Sequence, residues 1–461
     1  MTAYYYVALF VSFFLIFQIL RLRSEVFFRL AENSVALLDK LLAQTDEDAK
    51  IKLIEKSNKL LMRSVAEVTL LFIIAFSFGS VPVVVYVLIT NTAFQSLEFL
   101  SLFPILAISA GATLPFLISS RKKDTSGYSD LSKLLHRMAL NNYHLSEKLF
   151  KKEKKRLKKK ELSTRDDFVI ITGLARAGTT SLMNDLSEVE KFVSLSYANM
   201  PFLMAPNLWA KIYKPKKENL RERSHKDGIK IGYNSNEALE EYFFKVKAND
   251  AFIKAETLCE YELTKEDYND YLDYQAVVKQ DNKKVYLAKN NNFILRYKSV
   301  RAFNENFLMV VLFRNPLTHA ASLKEKHLDY KKLQTEDPFV LEYMNWLGHH
   351  EFGLSQKPFS FDGKILDNPQ DKNNIDFWLK SWINYYSYAL TMKHQNTLFI
   401  NYDDYCKHPN EIIGQIFKKI DVDENLPEFS AYHNRRKVDD TYSSELYNEA
   451  MAVYAQLGEV K

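Results

Sequence analysis

At 461 residues the chain has room for one catalytic domain of about 280 residues and an accessory region. Its net charge of +5 is modest but unevenly placed. Its two cysteines, Cys259 and Cys406, are far apart in sequence and lack partners, which excludes a disulfide framework and a thiolate metal site. No Asn-x-Ser/Thr sequon occurs, so nothing marks a glycosylated luminal domain, and both points favour a reducing, cytosolic setting.

Residues 3–20 are an apolar run broken only by Ser12 and Gln18, just long enough to span a bilayer. No basic stretch precedes it and no small-x-small cleavage site follows, so an anchor is expected rather than a signal peptide. Arg21 and Arg23 come directly after, which by the positive-inside rule leaves the N-terminus outside. Residues 24–64 pattern as an amphipathic, cytosolic helical hairpin with leucines at 37, 38, 41, 42, 53, 60 and 61 and an acidic turn at 45–48. Two further uncharged runs, about 68–89 and 99–118, are expected to cross the membrane. Gly79 and Pro82 are tolerable inside such a helix. Three spans place everything after residue 120 in the cytoplasm, in a bacterial setting at the inner membrane.

Residues 121–165 are a polar, helix-prone connector that contains the run KKEKKRLKKK at 151–160. Such a run forms a solvated helix or linker, or a surface for anionic lipid head groups. Nucleic acid is not expected as a partner, since no aromatic interleaving or base-reading module accompanies the charge.

The stretch 168–182, FVIITGLARAGTTSL, organises the rest of the chain. Its four apolar residues 168–171 read as a buried strand of a parallel sheet. The turn Gly173-Leu174-Ala175-Arg176-Ala177-Gly178 leads into Thr179-Thr180-Ser181, which open a helix. That arrangement aims backbone N–H groups and a helix dipole at one point, as a phosphate requires. Thr179 stands where a Walker A loop has lysine, and Arg176 is the cation within the loop. A purely structural strand–turn–helix would read the same way.

A second strand, 308–313, runs into Arg314-Asn315-Pro316, and Ser322 follows eight residues after the arginine. Pro316 suits the first turn of a helix, from which Ser322 and Arg314 could converge on a second anion. Two such sites at the carboxyl ends of parallel strands are what a bis-phosphorylated nucleotide needs.

Together, these two motifs resemble the sulfotransferases that use 3′-phosphoadenosine 5′-phosphosulfate (PAPS). GLARAGTTSL is similar to their 5′-phosphosulfate loop, GxxRSGTTxL, with Ala177 in place of the common serine. RNPLTHAAS is similar to their 3′-phosphate motif, with Asn315 in place of aspartate. The resemblance covers roughly residues 166–440 and none of the first 120. It implies an α/β fold with a P-loop-like parallel sheet flanked by helices, here preceded by an α-helical transmembrane region, with a sulfotransferase domain at 166–461. It further implies that Gly173, Arg176, Ala177, Gly178, Thr179, Thr180 and Ser181 hold the phosphosulfate, and that Arg314 and Ser322 hold the 3′-phosphate.

Sulfuryl transfer to a hydroxyl needs a proton acceptor. The stretch 222–244 gathers His225, Asp227, Glu237, Glu240 and Glu241, from which Glu241 and His225 are selected, although any one of them could simply be structural. Lys289, in the strand-like 286–290, resembles the family's lysine before the 3′-phosphate motif and could stabilise charge on the transferring group. A surface lysine is the alternative. His349, His350 and Glu351 are expected to have a structural or acceptor-site role without a metal, because adjacent histidines diverge and no third ligand is evident. Residues 195–209 suggest a cleft wall, 378–388 an aromatic core helix and 397–401 a last strand. Tyr402-Asp403-Asp404-Tyr405 suggests a closing run, and Arg435-Arg436-Lys437 a loosely matched phosphate clamp.

The expectation is a membrane-bound, PAPS-dependent sulfotransferase acting on a hydroxyl or amine, with a lipid or lipid-linked glycan as acceptor. A nucleotide-dependent kinase with an altered P-loop is the first rival. It lacks the loop lysine and a clear acidic magnesium ligand. A non-catalytic membrane scaffold that keeps the fold is the second, left open by Ala177 and Asn315.

Overall fold

The computed structural model describes residues 2–42, 47–93, 97–117, 128–214, 221–222, 230–231, 238–363, 371–420, 428–429, 431, 438 and 440–460. The chain forms two compact units, Met1–Met138 and Ala139–Lys461.

In the first unit, α1 (Thr2–Leu22), α2 (Glu25–Leu42), α3 (Glu47–Gly79), α4 (Val81–Thr90) and α5 (Leu102–Leu117) are helical. The boundary after Met138 falls within the last turn of α6 (Asp130–Leu140). Tyr5 donates its hydroxyl to the carbonyl of Glu98 at 2.9 Å and Arg21 donates to that of Pro115, so α1 and α5 run side by side in the same direction. A Cβ on Gly111 would lie 2.4 Å from the Phe10 carbonyl oxygen, so the two backbones meet where only a hydrogen fits. Two helical stretches, Ala3–Leu22 and Ile51–Thr90, are long and apolar enough to cross a membrane, while Leu102–Leu117 is apolar but shorter. Ile73, Phe76, Phe78, Leu88, Ile89, Leu102, Phe103, Phe116 and Leu117 all point outward, a surface unsuited to water.

The structure departs from one expectation in this unit. The second arm of the hairpin and the second apolar run are a single helix, α3, because nothing between Leu60 and Leu71 breaks helical geometry. The break falls instead at Ser80, where Pro82 opens α4. α2 still folds back on α3. Asn33 donates to the Ser64 hydroxyl at 2.7 Å, and Arg29 pairs with Glu67 at 3.1 Å.

The second unit begins with α7 (Tyr143–Lys159), so the basic stretch belongs to this unit rather than to a free connector. Ser146, Phe150, Glu153 and Leu157, spaced at helical period, are buried on one face, and Phe150 packs edge-on against Phe243 and Tyr274. Lys148, Lys151, Lys152, Lys155, Lys158 and Lys159 are exposed on the other.

Next come β1 (Val169–Thr172), α8 (Thr179–Ser187), β2 (Phe192–Val193) and α9 (Pro206–Ile212). The residues expected as an irregular cleft wall thus end in a short helix opened by Pro206. A two-residue ribbon, β3 (Arg221–Glu222) with β4 (Lys230–Ile231), precedes α10 (Glu241–Ala248). β5 (Leu258–Cys259), α11 (Lys265–Lys279), β6 (Val285–Lys289), α12 (Tyr297–Phe303), β7 (Leu308–Phe313), α13 (Pro316–Glu336) and α14 (Pro338–Trp346) follow. β8 (Phe359–Ser360) pairs with β5, and α15 (Ile375–Ala389), β9 (Thr397–Asn401), α16 (Tyr402–Lys407), α17 (Pro409–Ile420) and α18 (Ser444–Glu459) complete the unit.

The main sheet has the order β2-β6-β1-β7-β9 and is parallel throughout. Its three central strands are buried along their whole length, as continuous apolar runs require when both faces are covered. Leu182, Met183 and Leu186 of α8 pack on Val169, Ile171, Leu287 and Val310 to form one core face. Ligand sites in such sheets lie beyond the carboxyl ends of the strands, where β1 ends in Thr172, β6 ends in Lys289 and β7 runs into Arg314.

Candidate active site

The turn after β1 leaves the strand at Gly173 and enters α8 at Gly178. Gly178 has φ +98°, and a Cβ there would lie 2.0 Å from the Tyr402 ring, so the position excludes a side chain on two counts. Arg176 also has positive φ, +69°, an uncommon conformation for a non-glycine residue and one that aims its side chain out of the turn. The amides of Gly178, Thr179 and Thr180 belong to the N–H set that a helix start leaves without intrahelical acceptors. Ala177 is buried in the core beneath the loop, where a methyl packs without a polar atom to satisfy.

The two anion-suited motifs meet in space. Arg176 Nε donates to Ser322 Oγ at 3.3 Å, and Arg314 Nη1 donates to the Arg176 carbonyl at 3.4 Å. Lys289 reaches in from the end of β6, with Nζ 2.9 Å from Thr180 Oγ1. It brings to the loop, from a neighbouring strand, the ammonium that the loop itself lacks.

Arg314 sits 5.5 Å from the Tyr402 ring centroid, and burial pulls its pKa below the ordinary arginine value. Asp403 attracts it only at a distance, since no ion pair of Arg314 is found among the described residues, and its Nε is buried without a hydrogen-bond acceptor. A buried guanidinium in that state is costly until an anion meets it. The donors present, three cationic side chains, hydroxyls and a helix start, fit a phosphate or phosphosulfate and offer nothing to a cation.

Asn315 accepts from the Leu317 and Thr318 amides at 3.1 and 3.2 Å, capping α13 as aspartate also can. The departure from the family motif therefore leaves the helix start intact. Three supports carry no sequence signal. His319 Nε2 lies 2.7 Å from the Ala175 carbonyl, and burial together with the Arg314 and Arg176 charges lowers its pKa to about 3. The ring is therefore a neutral donor that holds the loop. Tyr386 donates to the Leu312 carbonyl at 2.7 Å, and Tyr385 lies 3.3 Å from Thr172 Oγ1. The aromatic helix is core, as its composition suggests, but its hydroxyls also brace both strand ends.

The expected proton acceptors are distributed differently. His225, Asp227 and Glu237 lie outside the described residues, as do Arg435, Arg436 and Lys437. Glu241 is buried and takes both guanidinium nitrogens of Arg296, at 2.5 and 2.8 Å. The choice of Glu241 as base does not fit this arrangement, because both its oxygens are engaged in a buried fork–fork pair. Glu240 is buried beside it and accepts from Tyr271 at 2.5 Å, Tyr286 at 3.0 Å and Asn290 at 3.1 Å. Burial raises its pKa to about 7 against the pull of those three donors.

No protein-family model matches the sequence, and no curated protein does. Among solved structures, the chain is similar to sulfotransferase STF1 from Mycobacterium tuberculosis H37Rv, at 12% identity over 73% of this chain and 85% of that one, with a TM-score of 0.37. Sulfotransferase STF9 from Mycobacterium avium is similar at 10% identity over 70% and 75%, with a TM-score of 0.36. The sulfotransferase domain from the curacin biosynthetic pathway is similar at 13% identity over 64% and 99%, with a TM-score of 0.30. Superpositions this loose add no weight to what the loop and its donors indicate.

Proposed function

We propose that this protein is a membrane-anchored sulfotransferase that moves a sulfuryl group from PAPS to a hydroxyl or amine of a lipid or lipid-linked glycan. The contact of Arg176 with Ser322 carries the reading, because it joins the phosphate loop and the second anion-suited motif into one site. A nucleotide with phosphate at both the 5′ and 3′ positions matches that pair of sites, and an ordinary nucleoside diphosphate fills only one. The loop Gly173–Ser181, with Arg176, Gly178, Thr179 and Thr180, would hold the 5′-phosphosulfate, and Arg314 with Ser322 the 3′-phosphate. PAPS, when bound, supplies an activated sulfuryl group, and Lys289 beside Thr180 is placed to neutralise charge on the departing phosphate.

The apolar N-terminal helices support a bilayer as partner and a membrane-borne acceptor. Arg21 and Arg23 favour an external N-terminus and a cytoplasmic catalytic unit. The six exposed lysines of α7 suit anionic head groups, worth on the order of 1 kcal/mol per basic residue near a surface.

Calorimetric titration of the detergent-solubilised chain with adenosine 3′,5′-bisphosphate, against ADP, tests the nucleotide class. Tight binding that requires the 3′-phosphate is the expected outcome. A preference for ADP would favour the kinase reading, and binding without any turnover of PAPS would favour the scaffold.

A further inference from the structure

Lys289 reaches Thr180 from the last position of β6, so its placement depends on what fixes the chain directly after it. Asn290 does so through three bonds. Its main-chain N–H donates to the Ile171 carbonyl of β1 at 2.9 Å, and its Oδ1 accepts from the Asn292 main-chain N–H at 3.0 Å. Its Nδ2 donates to Glu240 Oε2 at 3.1 Å. The first two bonds tie the turn to the sheet and to itself. The third ties it to a buried carboxylate at the start of α10, whose Oε1 also accepts from Tyr271 of α11 and Tyr286 of β6.

These donors differ in what they can do. A phenol hydroxyl can rotate to accept a hydrogen bond, whereas a carboxamide nitrogen only donates. A proton arriving on Glu240 is therefore taken at Oε1, where a hydroxyl can turn to receive it. The Asn290 bond at Oε2 keeps its geometry but loses its charge. Hydrogen bonds to an ionised partner are about twice as strong as neutral ones, so the hold of Glu240 on Asn290 follows the charge of the carboxylate. Burial raises the Glu240 pKa to about 7, against the pull of Tyr271, Asn290, Tyr286 and the charge of Arg296. The other titratable groups that face it are Tyr271 and Tyr274 of α11, Tyr286 of β6, Tyr261 ahead of α11, and Arg296 ahead of α12, which is paired with Glu241. Burial pushes all four phenols far above neutrality. It also works against the Arg296 charge, but Glu241 holds the guanidinium protonated. Among the described residues of this cluster, the proton that moves near neutral pH is that of Glu240.

We propose that Glu240 is a positioning residue for Lys289: its carboxylate, acting through Asn290, holds the turn that sets the lysine against the phosphate loop. The role in transfer rests on the sulfotransferase reading, while the hold on the turn does not. Ionised Glu240 grips the turn and protonated Glu240 releases part of that grip. The turn is therefore firmest above pH 7 and loosens as pH falls through it, although the same ionisation lowers the stability of the fold as a whole.

The test uses the full chain in lipid nanodiscs. Hydrogen exchange of peptides covering 285–295 is followed by mass spectrometry without nucleotide, at about pH 6 and about pH 8, and corrected for the intrinsic pH dependence of exchange. Release of labelled sulfate from PAPS to water is measured across the same range, and adenosine 3′,5′-bisphosphate binding is titrated in the same preparation. In the wild type, the turn should be about fivefold better protected at the higher pH, and Glu240→Gln should abolish the difference. The kcat for sulfate release should rise through about pH 7 in the wild type. Glu240→Gln should be about tenfold slower at the higher pH, without the inflection and with the KM for PAPS unchanged. Tyr271→Phe removes a donor to the anion, so it should move both transitions upward by about one pH unit, and it decides the matter if Glu240→Gln folds poorly. Equal protection of the wild-type turn at both pH values overturns the proposal. So does a Glu240→Gln variant with wild-type kcat and pH profile, or a Tyr271→Phe variant whose transitions stay in place. If the bisphosphate binds while these tests fail, the positioning role alone is lost. If it does not bind, the sulfotransferase reading is lost, and with it the role in transfer.

Discussion

Arg176 and Ser322 are 146 residues apart in sequence, yet Arg176 Nε lies 3.3 Å from Ser322 Oγ. The arginine leaves a turn between β1 and α8, and the serine sits two turns into α13, so the contact joins two adjacent parallel strands at their carboxyl ends. Arg314, at the foot of the same helix, donates to the Arg176 carbonyl and so fixes the loop that presents the first cation.

Arg314→Ala should weaken adenosine 3′,5′-bisphosphate binding by about 1.5–3 kcal/mol, or roughly 10- to 100-fold, the worth of hydrogen bonds to a charged group. ADP, without the 3′-phosphate, should lose much less. Calorimetry on both ligands separates the two outcomes, and equal losses would mean that Arg314 does not read the 3′ position.

Lys289→Met should lower transfer from PAPS about 10²-fold, near 3 kcal/mol of transition-state stabilisation, with a smaller change in nucleotide affinity. The Nζ contact with Thr180 Oγ1 places the ammonium at the loop, so a variant that bound more weakly but turned over normally would assign it to ground-state binding instead.

Glu240 makes stability depend on pH with a definite sign. Its folded pKa of about 7 lies above the ordinary value of 4.5 because burial penalises the anion more than Tyr271, Asn290 and Tyr286 favour it. The folded state therefore holds this proton more tightly. The associated stability is fully present below pH 4.5 and is lost as pH rises through 7, amounting to about 3 kcal/mol at most. Thermal melts of wild type and Glu240→Gln between about pH 4.5 and 8 should diverge in slope. Parallel curves would show that the carboxyl stays ionised.

Gly178→Ala should destabilise the catalytic unit by about 2 kcal/mol and weaken nucleotide binding, because the methyl meets Tyr402 at a positive φ. Adding Tyr402→Ala should relieve the collision but not the backbone strain, so the double variant should recover only part of the lost melting temperature.

Arg296→Leu should cost about 3–5 kcal/mol, since it leaves Glu241 as a buried carboxylate without its partner. The double variant Arg296→Leu/Glu241→Leu should recover most of that in denaturant titrations. No recovery would point to the ring stack of Phe244, Phe252 and Tyr261 around the guanidinium as the larger loss.

Part of this architecture is legible in the residues. A four-residue apolar strand, glycines at both ends of the turn and hydroxyls opening the helix announce the loop, because backbone geometry there tolerates few alternatives. The Pro316 helix start and the last strand at Thr397–Asn401 are readable for the same reason. Tertiary partners are not. Glu241 offers a carboxylate on a helix, and only the fold reveals that Arg296 covers it. The run at 151–160 reads as solvated because its lysines outnumber Glu153 and Leu157, the residues that face inward.

α3 runs unbroken from Glu47 to Gly79, a rod of about 50 Å with charged residues in its first half and apolar residues in its second. It has no joint between them, so any tilt imposed on the apolar half is handed to the polar half undiminished. A tilt of about ten degrees swings the far end by about 9 Å, and tilt is the variable by which a long helix adapts to bilayer thickness. α2, tied to that rod by Asn33 and Arg29, moves with it. On the membrane-anchored reading proposed above, the thickness of the lipid would thereby be converted into the position of α2.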